Sequence, residues 1–179
     1  APQDLKYSGE PTRLIIGERN LFREHVTIHR SNTPSEDTRI GSENFFMANS
    51  HVGHNSIIGN KAILANGVLI AGHAMIGDGA FLAGNAVVHQ FCRVGAMAMM
   101  QGCAGVSLDL PPFTIVRGIN GMCGLNSVGL KRAGFSAEER SQLKKAYQAI
   151  FLSDDLLKDA LEKARAEFTG VLSEQLIDF

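Results

Sequence analysis

Residues 40–106 read IGSENFFMANSHVGHNSIIGNKAILANGVLIAGHAMIGDGAFLAGNAVVHQFCRVGAMAMMQGCAGV. Every sixth position is apolar: Ile40, Phe46, Val52, Ile58, Leu64, Ile70, Ile76, Leu82, Val88, Val94, Met100 and Val106, with no miss. A period of six fits neither the 3.6 of a helix nor the alternation of a simple strand. It is the signature of a hexapeptide β-helix, so spacing in sequence can be read as position in space. Ile16, Phe22 and Ile28 belong to the same register, and Pro34 is its one break.

A second column supports the first. Two places before the apolar residues stand Ala62, Val68, Ala74, Ala80, Ala86, Cys92, Ala98 and Ala104. One large and one small inward residue per rung would fill a narrow prism at native density. The residue after the apolar one is usually Gly or Ala, as at Gly41, Gly53, Gly59, Ala65, Ala71, Gly77, Ala83 and Gly95. Small residues suit sharp corners, where backbones approach each other or φ turns positive.

At 179 residues the chain fits one domain, or one domain with an appendage. A net charge of −1 and a pI near 6.7 do not suggest a nucleic-acid-binding surface. Cys92, Cys103 and Cys123 are odd in number and lack metal spacing, so they read as reduced thiols of a cytosolic protein. No signal peptide is visible. The most apolar stretch, residues 62–75, is too short and too interrupted for a membrane span. The repeat is already running at Ile16 with no cap before it. A solenoid needs capped ends, so further coils are expected to precede this chain.

The prism is expected over residues 1–117, with the polar stretch SNTPSEDT (31–38) ejected as a loop. Pro111-Pro112 ends the register, and Thr114-Ile115-Val116 suits a last strand. Residues 118–179 read as an irregular Gly- and Asn-rich linker, to about 130, and a helical subdomain. Ser136 with Glu139 forms a capping box, followed by Leu143, Ala146, Tyr147, Ile150 and Phe151 at helical spacing. Ser153, Asp154 and Asp155 are expected to start a second helix, and residues 171–177 a third.

Three rungs per turn bring the chain back above itself after eighteen residues. His54, Gly72 and Gln90 then stack, with His73 and His89 one place to either side and His51 on the neighbouring stretch of the coil. Four of the six histidines gather on one ridge; His25 and His29 lie before the loop. Histidine is the side chain best suited to proton transfer near pH 7. Three imidazoles could instead hold zinc. Both readings put function on this ridge.

The stretches HVGHNSIIGN (51–60), ILANGVLIAGH (63–73), AVVHQFCRVG (86–95) and GLNSVGLKRAGF (124–135) carry a resemblance to a known family. So do PQDLKYSGEPTRLIIG (2–17) and VTIHR (26–30). The chain resembles the UDP-N-acetylglucosamine O-acyltransferases of lipid A synthesis over essentially its whole length. The resemblance implies an all-β solenoid, a left-handed parallel β-helix, followed by a small C-terminal α-helical subdomain. It implies a cytoplasmic homotrimer that moves an (R)-3-hydroxyacyl chain from acyl carrier protein to the glucosamine 3-hydroxyl. The carrier's phosphopantetheine thioester is the co-substrate, with no other cofactor, no metal and no stable membrane insertion. By motif, His54 would be the general base, with Asn55 beside it and the Gly72 N–H facing the oxyanion. His51, His73, His89 and Gln90 would line the site, and Asp4 would bind a sugar hydroxyl. Asn126 and Arg132 would meet the acyl donor or nucleotide phosphates. Arg132 with Lys131 would also offer an acidic carrier protein a landing patch.

The family usually carries Asp directly after the catalytic histidine, where this chain has Asn55. Asn can orient an imidazole but brings no charge. The related N-acyltransferase of the same pathway has His-Asn here, which makes a 3-amino acceptor the first alternative. A zinc-binding γ-carbonic-anhydrase-like β-helix is the second, and a non-catalytic scaffold the third. Many members also have two basic residues where this chain reads Arg132-Ala133. The segment Gly118–Met122 departs from the family's acyl-length region, so chain-length preference stays open.

Overall fold

The structure, a computed structural model, describes residues 1–179. The chain forms two compact units, Ala1–Gly124 and Leu125–Phe179. The first is a three-faced prism of short parallel strands. One face stacks Arg13–Ile16, Asp37–Ile40, Ile57–Ile58, Met75–Ile76 and Arg93–Val94. The second stacks Leu21–Phe22, Phe45–Phe46, Ile63–Leu64, Phe81–Leu82, Met99–Met100, Thr114–Arg117 and Gly121–Leu125. The third stacks Thr27–Ile28, His51–Val52, Leu69–Ile70, Val87–Val88 and Gly105–Val106.

Register explains the period. Ile57 pairs with Met75 and Met75 with Arg93, eighteen residues apart. The inward column from Ile40 to Val106 is buried throughout, and Ala62 to Ala104 of the small column likewise. Fully burying a large aliphatic or aromatic side chain contributes about 1.5–3 kcal/mol. In earlier coils the small column turns polar, as Thr38, Asn44, Ser50 and Ser56, all buried. Asn44 works as an internal clamp. Its Nδ2 donates to Gly59 O (2.9 Å) and its Oδ1 accepts from Ala62 N–H (2.7 Å). The Ser50 hydroxyl has no partner.

The break at Pro34 has a simple geometry. Arg13 pairs with Asp37, Leu21 with Phe45 and Thr27 with His51, all twenty-four apart instead of eighteen. The extra six residues are one hexad, pushed out of the prism without disturbing the register. The ejected loop is shorter than the expected 31–38, because Asp37 and Thr38 are buried in a strand. Asp37 is held there by Arg13 and Arg39.

The corners differ from expectation in one respect. Left-handed φ recurs every six residues, but three places after the inward residue, not one. Glu43, Asn49, Asn55, Lys61, Gly67, His73, Gly79, Asn85, Phe91, Met97 and Cys103 hold these positions. The glycines directly after the inward residue serve close approach instead. A Cβ at Gly41 would lie 2.4 Å from Gly59 O, and one at Gly95 2.3 Å from Pro112 N.

The prism also runs past residue 117, where its end was expected. Asn120 donates its N–H to Gly105 O, and its side chain brackets Ser107, docking a turn that leads into the strand Gly121–Leu125. In the second unit α1 (Ser127–Arg132) replaces part of the expected linker. It is followed by α2 (Ala137–Phe151), α3 (Leu157–Glu167) and α4 (Val171–Ile177). The Ser136–Glu139 box is formed in both directions. Ser153 caps nothing: α3 begins at Leu157, and Asp155 is engaged by Lys163 Nζ at 2.7 Å. Leu143, Ala146, Tyr147 and Ile150 of α2 are buried, as are Ala160, Ala164, Leu172 and Leu176 of the following helices. No helix is long and apolar enough to cross a membrane.

Asn44→Ala strands a carbonyl and an N–H in the prism and should cost on the order of 3 kcal/mol. Ser50→Ala removes an unsatisfied hydroxyl and should stabilise by about 1 kcal/mol. Denaturant midpoints of the two variants, moving in opposite directions, check both.

Candidate active site

The hexad ejected as residues 31–36 leaves the prism at the corner where the histidines stand. Its residues fold back over that corner. Ser31 locks the loop, its hydroxyl donating to Thr33 O and accepting from Thr33 N–H.

Asn55 is the hub. It is 6% exposed and in the left-handed region at φ 58°. Its N–H donates to Thr38 Oγ1 at 2.8 Å. Its Oδ1 accepts from the Asn32 backbone N–H (3.0 Å) and lies 2.9 Å from His54 Nδ1. Its Nδ2 donates to Ser31 Oγ (2.9 Å) and to Glu36 Oε2 (2.8 Å). A backbone N–H can only donate and a carboxylate only accept, so the orientation of this amide is determined. The proton between Asn55 and His54 therefore sits on His54 Nδ1. In the neutral ring the lone pair is then on Nε2.

The His54 ring lies directly on Gly72. A Cβ at Gly72 would come within 2.8 Å of both Cε1 and Nε2, so only glycine admits the ring. The Gly72 carbonyl accepts from Phe91 N–H, and the His54 carbonyl from His73 N–H. The Gly72 N–H donates to nothing in the protein. A basic nitrogen and an unengaged N–H thus share one corner, the pairing that an acyl-transfer transition state requires.

His73 stands at the left-handed corner position above Asn55, at φ 60°. Its ring meets His54 edge-on at 5.2 Å and stacks on Phe91 at 4.8 Å. Its Nδ1 is 3.7 Å from Glu36 Oε2. His51 lies 2.7 Å from Thr27 Oγ1 through Nδ1. Its ring meets that of His29 at 4.7 Å. His29 therefore belongs to the cluster, contrary to expectation, because the ejected hexad makes the local stacking interval twenty-four. Asp4 joins from the N-terminal segment: Asn32 Nδ2 donates to its carboxylate, as does Lys6 N–H. The Lys6 N–H, then Asn32, hold the Asp4 carboxyl below its ordinary range, and His54 acts on it in the same direction. His89 and Gln90 are exposed one coil on, with the His89 Nδ1 facing Gln90 O at 3.1 Å.

Asn126 and Arg132 belong to the second unit. Asn126 is the N-cap of α1, its Oδ1 accepting from Gly129 N–H at 3.0 Å. Lys131 and Arg132 are exposed in the last turn of α1. No group of three or more His, Cys, Asp or Glu side chains in the chain converges as a metal site needs. Spacing in sequence overlooked Ser31, Asn32 and Glu36, for an ejected loop has no register. Phe91 could have been found, lying eighteen residues beyond His73.

A hexapeptide prism with an imidazole, its orienting amide and an open N–H at one corner has the framework of the hexapeptide-repeat transferases. Residues 37–72 match the bacterial transferase hexapeptide model, and residues 109–179 match domain 2 of UDP-N-acetylglucosamine O-acyltransferase. An acyl-[acyl-carrier-protein]--UDP-N-acetylglucosamine O-acyltransferase of Anaeromyxobacter sp. (strain Fw109-5) is 49% identical over 93% of this chain. The chain spans 65% of that relative's length. A UDP-N-acetylglucosamine acyltransferase structure from Bacteroides fragilis superposes with a TM-score of 0.92 at 40% identity, covering 99% of this chain and 71% of that one. The Arabidopsis enzyme gives 0.94 at 36% identity, covering 99% and 65%. The chain belongs to the UDP-N-acetylglucosamine O-acyltransferase family, and its prism is a left-handed β-helix.

Burial lowers the basicity of His51 and His29, and His29 is lowered further by His51 and His54. The folded chain then holds fewer protons on these rings than the unfolded chain, whose histidines titrate near 6.5. Stability is therefore complete above about pH 6.5 and falls as pH drops below it. Urea midpoints between pH 5 and 8 should show this decline, and His29→Gln with His51→Gln should flatten it.

Proposed function

We propose that the chain transfers an (R)-3-hydroxyacyl group from acyl carrier protein to the 3-hydroxyl of UDP-N-acetylglucosamine, the first step of lipid A biosynthesis. The observation that carries this reading is the tautomer imposed on His54: Nδ1–H to Asn55, with Nε2 against Gly72, whose N–H is open. His54 Nε2 takes the proton of the sugar hydroxyl as that oxygen attacks the thioester carbon. The new C–O bond forms and the carbonyl oxygen becomes an oxyanion, which accepts a hydrogen bond from Gly72 N–H. The C–S bond then breaks, and His54 returns its proton to the phosphopantetheine sulfur.

His51, His73, His89 and Gln90 line the acceptor and thioester, and Asp4 takes a sugar hydroxyl. In the second unit Asn126 holds α1, whose Arg132 and Lys131 offer cations to phosphate oxygens or to an acidic carrier protein. We assign the working form to a cytoplasmic homotrimer. The reaction so written draws on the carrier's phosphopantetheine thioester alone.

The test is acyl transfer from 3-hydroxyacyl carrier proteins of several lengths to UDP-N-acetylglucosamine and to its 3-amino analogue. Turnover with the hydroxyl acceptor, and a 10²–10⁴-fold loss in His54→Ala, is expected. Gly72→Ala keeps every functional group but displaces the His54 ring, and should lower kcat on the order of 10²-fold. Transfer to the 3-amino analogue alone would reassign the acceptor.

A further inference from the structure

Glu36 has no place in the mechanism above, yet its carboxylate ends on both sides of the reacting corner. Oε2 accepts from Asn55 Nδ2 at 2.8 Å and lies 3.7 Å from His73 Nδ1. We propose that Glu36 is a positioning residue that supplies, through the Asn55 amide, the negative charge that a His-Asn pair lacks. This rests on the acyl-transfer reading of His54.

The amide is aligned between the two groups it serves. Its NH₂ end points at the Glu36 carboxylate and its carbonyl end at His54 Nδ1–H. A hydrogen bond to a charged acceptor polarises the amide and strengthens the carbonyl as an acceptor in turn. When His54 takes the hydroxyl proton, the positive charge on its ring faces a carbonyl oxygen made more negative by Glu36. A dyad with Asp would place that charge directly against the ring. Here it stands one group further out, on the ejected loop. The Glu36 side chain is 58% exposed, so solvent screens part of its field. An effect of about tenfold is the expected scale, well below that of losing the base itself.

Two substitutions separate charge from scaffolding. Glu36→Gln keeps an oxygen that can accept from Asn55 Nδ2 and removes only the charge. It should lower kcat about tenfold and leave KM for both substrates within about twofold. Asn55→Asp alone sets two carboxylates at the 2.8 Å contact and should also lower kcat. Combined with Glu36→Gln, the new carboxylate gains a donor and stands directly on His54, so kcat should rise above that of either single variant.

A readout without turnover accompanies these assays. The charged and titratable groups around His54 are Asp4 from the N-terminal segment, His29 from the first coil, His73 from the next coil and Glu36 from the loop. Imidazole ¹⁵N shifts of the full chain should show His54 titrating at lower pH in Glu36→Gln than in the wild type. The double variant should reverse that displacement. An active wild type whose kcat and His54 titration ignore Glu36→Gln overturns the proposal. So does a double variant no better than Glu36→Gln, which would leave Glu36 a loop support. An inactive wild type whose His54 titration still responds to Glu36 would instead remove the acyl-transfer reading and leave the coupling standing.

Discussion

Every strand of the prism is two to five residues long and satisfies its backbone only by bonding to the coil above and below. That ladder is the constraint on which the rest depends. A buried N–H or C=O without a partner costs about as much as a hydrogen bond is worth, so no coil can slip without exposing its neighbours. The inward residues then meet their own kind eighteen positions on, and the core becomes a stack of repeated contacts. Residues far apart in sequence are held at one height and one corner with little freedom.

The candidate site exploits that rigidity. His54 lies against the Gly72 backbone, and its tautomer is set by an amide whose own orientation leaves no choice. Catalytic geometry of this kind owes its accuracy to the scaffold beneath it. Asn55 and His73 occupy left-handed backbone positions, which cost a non-glycine residue roughly 1–2 kcal/mol. Asparagine tolerates this conformation well, histidine less so, and the stacked Phe91 ring helps to hold His73 there.

The face, height and partner of each coil residue were readable because the hexad repeats without error from Ile40 to Val106. The stacking of His54 under Gly72 followed from arithmetic alone. Where the period was interrupted, the reading faltered in proportion. Counting by eighteen across the loop misplaced His29, which belongs beside His51. Glu36 was invisible, since its position depends on how six ejected residues fold back, a matter of local hydrogen bonds at Ser31 and Asn32. Asn126 was named through resemblance alone, and no spacing argument could show that its side-chain oxygen caps a helix. Small residues after the inward position left two reasons open, close approach and positive φ; the structure uses them for close approach and puts positive φ two residues later.

The ejected hexad adds one complete repeat and so leaves the register of every later coil untouched. Its length and composition are therefore free variables in a molecule that has few. A solenoid of this kind separates the part of a site that must be inherited unchanged from the part that can be revised. The imidazole and the glycine beneath it are bound to the ladder, while the carboxylate reaching in from residues 31–36 is mounted on a removable bracket. Relatives could then arrive at the same proton-transfer geometry with the compensating charge housed in different places, one directly after the histidine and another on a neighbouring protrusion, without a change to a single rung.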